Sequence, residues 1–318
     1  GYVMSTQKLG DKMSLLSGLR AEQTRIDYHG FEYFERAETF DEVSANQDYV
    51  SLLPGVHLKY MPTSKSVFRL AYTKTISRPN YRDIVPYTKC DINDLEISFG
   101  TPDIKPTLAH NFDLLGEYYM GSTGLISAGI FMKNIRDYEV QIIDVLPWEE
   151  VSPYLPTPDE INARTDNTEE QKADYIKRYN KAEGKDFESF MPGNGGNANL
   201  YGVEVAFQKK LDFLPGALGN FSVYANFTHN WVDNKDNEYE LSGTAEDILN
   251  ASLAYDSKRF SARISYNYTA DFLTSNGQSE QYDVFYDKVS YLDANIDIFI
   301  TKKLVFFASA NNLLNELQ

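Results

Sequence analysis

Residues 66–120 constrain the fold more than any other stretch, because two alternating segments flank a long polar loop. The first segment runs from Ser66 to Ser77 and the second from Asn111 to Met120. In the second segment the apolar side chains share one face: Phe112, Leu114, Tyr118 and Met120. Its polar side chains share the other face: Asn111, Asp113 and Glu117. Because side chains alternate across a β-strand, each segment is predicted to be a strand with one apolar and one polar face.

This unit of strand, long loop and strand repeats through most of the chain and predicts about twelve strands. Very short turns, such as 10–12 and 301–303, alternate with long polar loops, such as 78–106. Most of the predicted strands are about 10 to 15 residues long, well beyond the usual length of about five or six. They include the segments 13–28, 49–60, 124–144 and 260–272, and polar sequence through Asn46 is predicted to separate the first two.

Long strands with alternating faces, short turns at one end and long loops at the other are typical of an outer-membrane β-barrel. Aromatic residues near the predicted strand ends fit the interfacial girdles of such a barrel: Tyr60, Phe213, Trp231, Tyr268 and Phe272. The mean hydropathy of -0.44 and the lack of an apolar run of about 18 residues exclude a transmembrane helix, whereas barrel strands need no such run. The alternative is a large soluble antiparallel β protein with one solvated face.

Residues 145–197 interrupt the strand pattern and are predicted to form an extracellular loop insertion that is partly helical. Thr157 followed by Pro158 is a typical helix start. A second helix is predicted from Asn167 to Glu183, with Gly184 at its end. Because its many charged residues leave only a thin apolar face, this second helix is predicted to be solvated and not part of a core.

Composition excludes several classes of function. With 46 acidic and 30 basic residues the formal net charge is -16, and no basic stripe is available to bind nucleic acid. The single cysteine, Cys90, rules out an internal disulfide. The four histidines lie on separate segments without metal-ligand spacing, and no Ser-His-acid spacing is recognisable. The sequence therefore predicts a protein that is not an enzyme, with no catalytic residues, no metal site and no cofactor.

Several pieces of the chain together resemble the barrel of TonB-dependent outer-membrane receptors. They are FRLAYTKTISRPNY at 68–81, GTPDIKP at 100–106, YGVEVAFQKKL at 201–211 with FLPG at 213–216, and NNLLN at 311–315. The resemblance implies an all-β, antiparallel transmembrane barrel of roughly 22 strands, of which residues 1–318 supply about twelve. It also implies that the family's plug domain and last barrel strand are not present in this chain.

By the same resemblance, the protein is a TonB-dependent receptor in the outer membrane of a Gram-negative bacterium. It is expected to take up a nutrient ligand: an oligosaccharide, a siderophore or other chelate, or a peptide. Its implied partners are the TonB complex, through an N-terminal region absent from this chain, the outer-membrane lipids and, for glycan uptake, a surface lipoprotein. The alternatives are a passive porin-like or structural outer-membrane protein, and a soluble β-rich binding protein.

Specificity in such a receptor comes from the outer loops and the upper lumen, where aromatic and hydrogen-bonding side chains hold a ligand. The candidate ligand-binding residues are Asn80, Tyr81, Tyr87, Trp148 and Tyr154. The alternative for each is a loop residue that packs on its neighbours or on the lipid interface. The polar residues expected to face the lumen, where charge pairs would hold strands or plug in place, are Arg78, Glu117, Glu204, Arg263 and Asp271.

Overall fold

A computed structural model of the chain describes residues 1–34, 39–121, 123–165, 167–234 and 239–316, without the side chains of 30–34 and 39–41. Within these ranges the strands are, in chain order, β1 (Tyr2–Leu9), β2 (Met13–Phe34), β3 (Thr39–Tyr60), β4 (Ser66–Ser77), β5 (Thr88–Asp91), β6 (Glu96–Phe99), β7 (Thr107–Tyr119), β8 (Gly124–Arg136), β9 (Glu139–Leu146), β10 (Phe187–Asn194), β11 (Asn197–Lys210), β12 (Phe221–Asp233), β13 (Asp247–Asp256), β14 (Phe260–Thr269), β15 (Phe272–Ser275), β16 (Val284–Tyr286), β17 (Val289–Thr301) and β18 (Leu304–Ala310). The α-helices are α1 (Trp148–Val151), α2 (Pro158–Ala163) and α3 (Glu169–Ala182), and short 3-10 helices lie at Ser152–Tyr154, Gly216–Asn220 and Glu280–Tyr282. Over the described residues, no helix is long and apolar enough to cross a membrane.

Twelve of the strands form one antiparallel sheet in the order β1-β2-β3-β4-β7-β8-β11-β12-β13-β14-β17-β18, with β1 and β18 at its edges. Connections at one end are tight, as at 10–12 and 302–303, whereas those at the other end, such as 78–106 and 137–196, are long. The prediction of about twelve strands, joined alternately by short turns and long loops, is therefore confirmed.

One face of this sheet is apolar and uncovered. Leu70 on β4 pairs with Leu114 on β7, which in turn pairs with Ile130 on β8. Their side chains are 53%, 45% and 55% exposed, respectively. Other exposed apolar side chains on the same face are Phe68, Tyr118, Val205, Phe227, Leu253, Ile264 and Ile296. An apolar face of this extent, which the described residues leave exposed, is what a lipid-facing barrel wall requires.

The opposite face is polar, and its side chains interact across the strands. Arg69 Nη2 donates to Glu117 Oε2 at 2.9 Å between β4 and β7. Asn250 Nδ2 donates to Asn226 Oδ1 at 2.9 Å between β12 and β13, and Asn250 lies opposite Asn267 of β14. Cross-strand pairs of this kind stabilise a sheet and fix its register.

Two strands are far longer than the sequence predicts. β2 and β3 each contain 22 residues and pair along their whole length, in place of the predicted 13–28 and 49–60. The predicted separation through Asn46 is wrong, since Asn46 pairs with Asp27 inside the sheet. Backbone hydrogen bonds hold this hairpin where both faces meet water or loops, so the apolar alternation that signals a strand is lost there.

Two other strands end earlier than predicted. The segment 124–144 divides at Asp137, whose φ of 51° separates β8 in the large sheet from β9 in a smaller one. The segment 260–272 ends as a barrel strand at Thr269. Phe272 belongs instead to the two-stranded sheet of β15 and β16, where its ring stacks on Tyr286 with centroids 5.4 Å apart. Phe272 therefore lies outside the twelve-stranded wall.

The two longest connections fold together into a second unit. β5 pairs with β6, and β10 pairs in parallel with β6 and antiparallel with β9. The resulting four-stranded sheet has the order β5-β6-β10-β9 and carries the three α-helices between β9 and β10. We call this unit, the described residues of 88–99 and 139–194, the cap.

The cap has its own hydrophobic core, contributed by both connections: Ile92, Ile97, Val151, Leu155, Tyr179, Ala182 and Phe187. Helices α2 and α3 follow Thr157 and Thr168, and each start is closed by a capping box. The helix start predicted at Thr157 is confirmed. The prediction that the second helix stays out of any core is wrong, because Tyr179 and Ala182 of α3 are buried in this one.

Candidate functional site

The loop 78–106 starts from a fixed point on the polar face of β2. The Arg78 guanidinium donates to the Glu22 carboxylate (Nη2 to Oε2, 2.6 Å) and to the Thr24 hydroxyl (Nε to Oγ1, 2.9 Å). Because guanidinium donors lie in one plane and have a fixed geometry, two acceptors on the same strand also set the direction of the side chain. Arg78 therefore attaches the start of the loop to the β2–β3 hairpin.

A tight turn at the start of this loop presents Tyr81. Asn80 Oδ1 accepts the backbone N–H of Arg82 at 3.1 Å, and the Asn80 carbonyl oxygen accepts the N–H of Asp83 at 3.0 Å. Asparagine favours turns because its side chain can bond the backbone two residues further on. At the tip of this turn the Tyr81 side chain is 76% exposed.

Gln47 of β3 holds the returning part of the same loop. Its Nε2 donates to the carbonyl oxygens of Pro102 and, at 3.0 Å, Ile104. Because both partners are acceptors, the amide nitrogen must face them and Oε1 must face away. That oxygen is buried and has no hydrogen-bond partner among the described residues. A buried acceptor without a donor costs roughly 1–3 kcal/mol, which a donor from a bound molecule would recover.

A cavity of about 260 Å³ lies between the loop 78–106 and the β2–β3 hairpin. The side chains that characterise its walls are Ile26, Tyr28, Gln47, Tyr81, Ile84 and Val85. On β2, Ile26 and Tyr28 are half-buried, whereas the intervening Asp27 is exposed on the opposite face and pairs with Arg25 at 3.0 Å. Apolar and aromatic walls with a few polar groups are typical of small-molecule sites.

Asn194, at the end of β10, connects three segments where the loop 78–106 ends. Its Oδ1 accepts the N–H of Lys105 at 2.9 Å, and its Nδ2 donates to the carbonyl oxygens of Lys105 at 3.0 Å and Asp137 at 2.9 Å. The side chain thereby ties the end of the loop 78–106 to the turn between β8 and β9. Gln47 and Asn194 together hold residues 102–105 in place.

The surroundings of three titratable groups in the loops shift their pKa values. Burial, and then the nearby Asp83 carboxylate, raise the pKa of Glu139 at the start of β9. Burial, and then the charge of Asp91, raise the pKa of the Cys90 thiol in the cap to about 12, so the thiol is neutral and unreactive at neutral pH. The backbone N–H of Asn93 lowers the pKa of Asp91, which keeps that carboxylate ionised.

The structure brings two of the five candidate ligand-binding residues to the cavity. Tyr81 lines it, and Asn80 forms the turn that presents Tyr81. Tyr87 lies just before β5, where its carbonyl oxygen accepts the N–H of Gly100 at 3.0 Å. Trp148 and Tyr154 pack against the core of the cap and contact neighbouring aromatic rings. The rings of Trp148 and Tyr154 therefore pack on their neighbours, which is the alternative to ligand binding that the sequence leaves open.

The residues expected to face the lumen have different surroundings. Glu117 forms an ion pair with Arg69, with 2.9 Å between Nη2 and Oε2. Glu204 and Arg263 are exposed on the polar face, and within the described ranges neither forms an ion pair. Asp271 follows the end of β14, outside the twelve-stranded sheet. A lumenal role for these residues stays a prediction.

Sequence reasoning missed Ile26, Tyr28 and Gln47 as site residues. Ile26 and Tyr28 lie in the predicted strand 13–28, and Gln47 lies between the polar stretch that ends at Asn46 and the predicted strand 49–60. The spacing of Ile26 and Tyr28 by two predicts that they share one face of a strand, but a strand pattern does not show which distant loop folds against that face. Metal binding has no support from placement, since in the part of the chain described here no three His, Cys, Asp or Glu side chains are grouped to hold an ion.

A wide antiparallel sheet with one apolar face, one polar face, tight turns at one end and folded loops at the other defines the wall of an outer-membrane β-barrel. The chain belongs to the outer membrane protein beta-barrel family, whose model matches residues 1–318. The predicted fold class and the predicted location, the outer membrane of a Gram-negative bacterium, are confirmed. In such barrels the long loops face the outside of the cell.

Solved structures show the same fold at low sequence identity. The ferric-catecholate import receptor Fiu from E. coli K12 is 12% identical with a TM-score of 0.65, and the alignment covers 99% of this chain and 40% of the receptor. The copper transporter OprC is 13% identical with a TM-score of 0.65, over 98% of this chain and 41% of that one. The FrpB iron transporter from Neisseria meningitidis is 15% identical with a TM-score of 0.58, over 99% and 39%. The chain thus spans about two fifths of the length of these structures. Comparison with curated protein sequences gives no significant match.

Proposed function

We propose that this chain is part of the barrel of a TonB-dependent receptor that takes up a nutrient ligand across the outer membrane. The proposal is supported by the fold, because proteins of similar structure include an import receptor, a copper transporter and an iron transporter. It is also supported by the resemblance of residues 68–81 and 100–106 to receptor barrels. The ligand is an oligosaccharide, a siderophore or other chelate, or a peptide.

The observation that carries the proposal is the cavity at Tyr81. A passive pore needs an open path, whereas a receptor needs a place where a ligand is held before it moves. The cavity lies at the long-loop end, between a hairpin that is paired along its whole length and a loop that is attached at Arg78, Gln47 and Asn194. A ligand held there is oriented at the outer entrance of the barrel.

The chemistry required is binding and release. No bond in the ligand is made or broken, so the site needs complementary shape and hydrogen bonds and no nucleophile or general base. The energy for passage comes from the TonB complex, through the N-terminal region of the whole protein. Outer-membrane lipids contact the apolar face, and a surface lipoprotein is the expected partner if the ligand is a glycan.

The test uses the complete gene in its host, with and without a functional TonB. Deletion of the gene is expected to abolish growth on one limiting nutrient among ferric siderophores, oligosaccharides and peptides. The complete gene should restore growth only in cells that have TonB. Growth restored equally in cells without TonB, together with a steady conductance in planar bilayers, would instead establish a passive porin.

A further inference from the structure

We propose that the cavity at Tyr81 binds an uncharged, hydroxyl-bearing ring, such as a sugar residue of an oligosaccharide. The inference deepens the proposed uptake function and rests on it. It follows from four properties of the cavity: an exposed aromatic ring, a buried hydrogen-bond acceptor without a donor, the absence of cationic side chains in its lining, and its size.

The aromatic ring is Tyr81, whose turn is fixed by the two hydrogen bonds of Asn80. Ile84, which is buried, and Val85, which is half-buried, line the same cavity as the exposed Tyr81 ring and add apolar surface to it. A sugar ring has one face of C–H groups and an edge of hydroxyls. The C–H face packs on an aromatic ring, and the edge then reaches the polar groups nearby.

The acceptor is Gln47 Oε1. The Gln47 nitrogen is committed to the carbonyl oxygens of Pro102 and Ile104, so the side chain cannot turn to satisfy the oxygen without losing both bonds. The partner that this oxygen needs is an O–H or N–H donor. Because the oxygen has almost no accessible surface, such a donor from a molecule in the cavity reaches it only when residues 102–105 shift. Sugars supply hydroxyl donors, whereas carboxylates, phosphates and deprotonated catecholates present only acceptors.

The charge of the cavity also favours a neutral ligand. Of the residues that line it, only Asp27 is charged, and its carboxylate is exposed on the opposite face and paired with Arg25. An anionic chelate would find neither lysine, arginine nor histidine there, in a chain whose formal net charge is -16. Recognition of anionic ligands depends on such side chains, above all on the planar donors of arginine.

The size of the cavity limits what enters it. At about 260 Å³ it is slightly smaller than the usual range of roughly 300–1,000 Å³ for whole drug-sized ligands. It therefore takes one ring of a longer chain, and the remainder of the oligosaccharide extends along the loops. Recognition of one terminal or internal residue is the expected mode.

The test measures binding of the full-length receptor, in detergent, to an array of neutral oligosaccharides of glucose, xylose, mannose and N-acetylglucosamine. The ferric complex of a tricatecholate is the anionic probe. Binding to at least one neutral oligosaccharide is expected. Tyr81→Ala should weaken it about tenfold, the equivalent of one good contact, whereas Tyr81→Phe should retain it. Gln47→Glu keeps an acceptor oxygen but loses the N–H groups that donate to the carbonyl oxygens of Pro102 and Ile104, and it should also weaken binding.

The matched control is Tyr282→Ala. Tyr282 is 67% exposed, close to the value of Tyr81, and lies in the connection between β15 and β16, so its loss should leave binding unchanged. Failure of every neutral oligosaccharide to bind, or binding that Tyr81→Ala does not alter, would overturn the sugar assignment. Binding of the ferric complex, without binding of any neutral oligosaccharide, would also overturn the sugar assignment. If growth remains dependent on TonB in these cases, only the ligand class fails and the uptake function stands.

Discussion

Replacement of Asn194 by alanine tests how the loop beside the cavity is held. The Asn194 side chain makes two hydrogen bonds to the backbone of Lys105 and one to the carbonyl oxygen of Asp137. Alanine removes all three and leaves the backbone groups of both partners to water. The two bonds at Lys105 are exposed, and the bond to Asp137 is partly buried.

The expected cost follows from these exposures. One intramolecular hydrogen bond contributes about 0.5–1.5 kcal/mol net, and exposed bonds fall at the lower end. Taking about 0.5 kcal/mol for each bond to Lys105 and about 1 kcal/mol for the bond to Asp137 gives a total of about 2 kcal/mol. Because 1.4 kcal/mol is a factor of ten, the open population of the loop should rise about 30-fold. The loss concerns local opening and not unfolding of the barrel wall.

Hydrogen exchange of the full-length protein in detergent measures this opening. In Asn194→Ala the amides of 100–106 are expected to exchange about 30-fold faster, which is the same factor as the change in open population. The matched control is Asn250→Ala, which removes one hydrogen bond to Asn226 in the barrel wall and should leave 100–106 unchanged. Both variants should still run as a compact, faster band on gels when the sample is not boiled, which is the mark of a folded barrel. Equal exchange at 100–106 in Asn194→Ala and in the unaltered protein would refute the role given to this side chain.

Three further predictions concern the loops and the wall. Glu139→Gln should stabilise the loop near Asp83 at pH 7 and not at pH 4. Because the pKa of Glu139 is raised in the folded protein, its ionisation opposes folding as the pH rises. Protection of the amides of 78–106 from hydrogen exchange measures this stabilisation. Cys90 should resist thiol reagents at pH 8, because its thiol has a pKa of about 12 in the folded protein, above the usual value of about 8.5. For the same reason the cap should lose stability above a pH of about 9 in the unaltered protein, and this loss should not occur in Cys90→Ala. Gly202→Ala should destabilise the wall by about 1–3 kcal/mol, because a Cβ there would overlap the ring of Phe131. Phe131→Leu should relieve this overlap, and the temperature at which the compact gel band is lost reports both changes.

The barrel wall could be predicted because two different media impose a period of two on its strands. On β7, Leu114 meets the apolar side and Asp113 the polar side, and the same alternation continues across β8 to β17. Where both sides of a strand contact water or loops, as around Asn46, that contrast disappears although the backbone pairing continues. The limits of β2 and β3 could therefore not be read from the sequence.

The cap could not be predicted from local patterns. Ile97 is completely buried, yet it belongs to a strand of four residues whose parallel partner β10 follows in a separate connection, with Ser189 opposite Ile97. Periodicity reports on neighbours along one segment and carries no information on which distant segment will pair with it. For the same reason, residue type alone selected both Tyr81 and Trp148, although one is exposed at a cavity and the other packs against a core.

The cap and the cavity depend on different contacts, and this separates their stability. The cap is closed by its own core, in which Ile97 from one connection meets Phe187 from the other. Pro102 lines the cavity, and residues 102–105 are held by Gln47 on the barrel side and by Asn194 on the cap side. A ligand that donates to Gln47 Oε1 therefore acts on the segment that joins the cap to β7. We expect any ligand-driven rearrangement to be found at 100–106, because this segment can shift by exchanging a few hydrogen bonds, whereas the cap can shift only by opening its core.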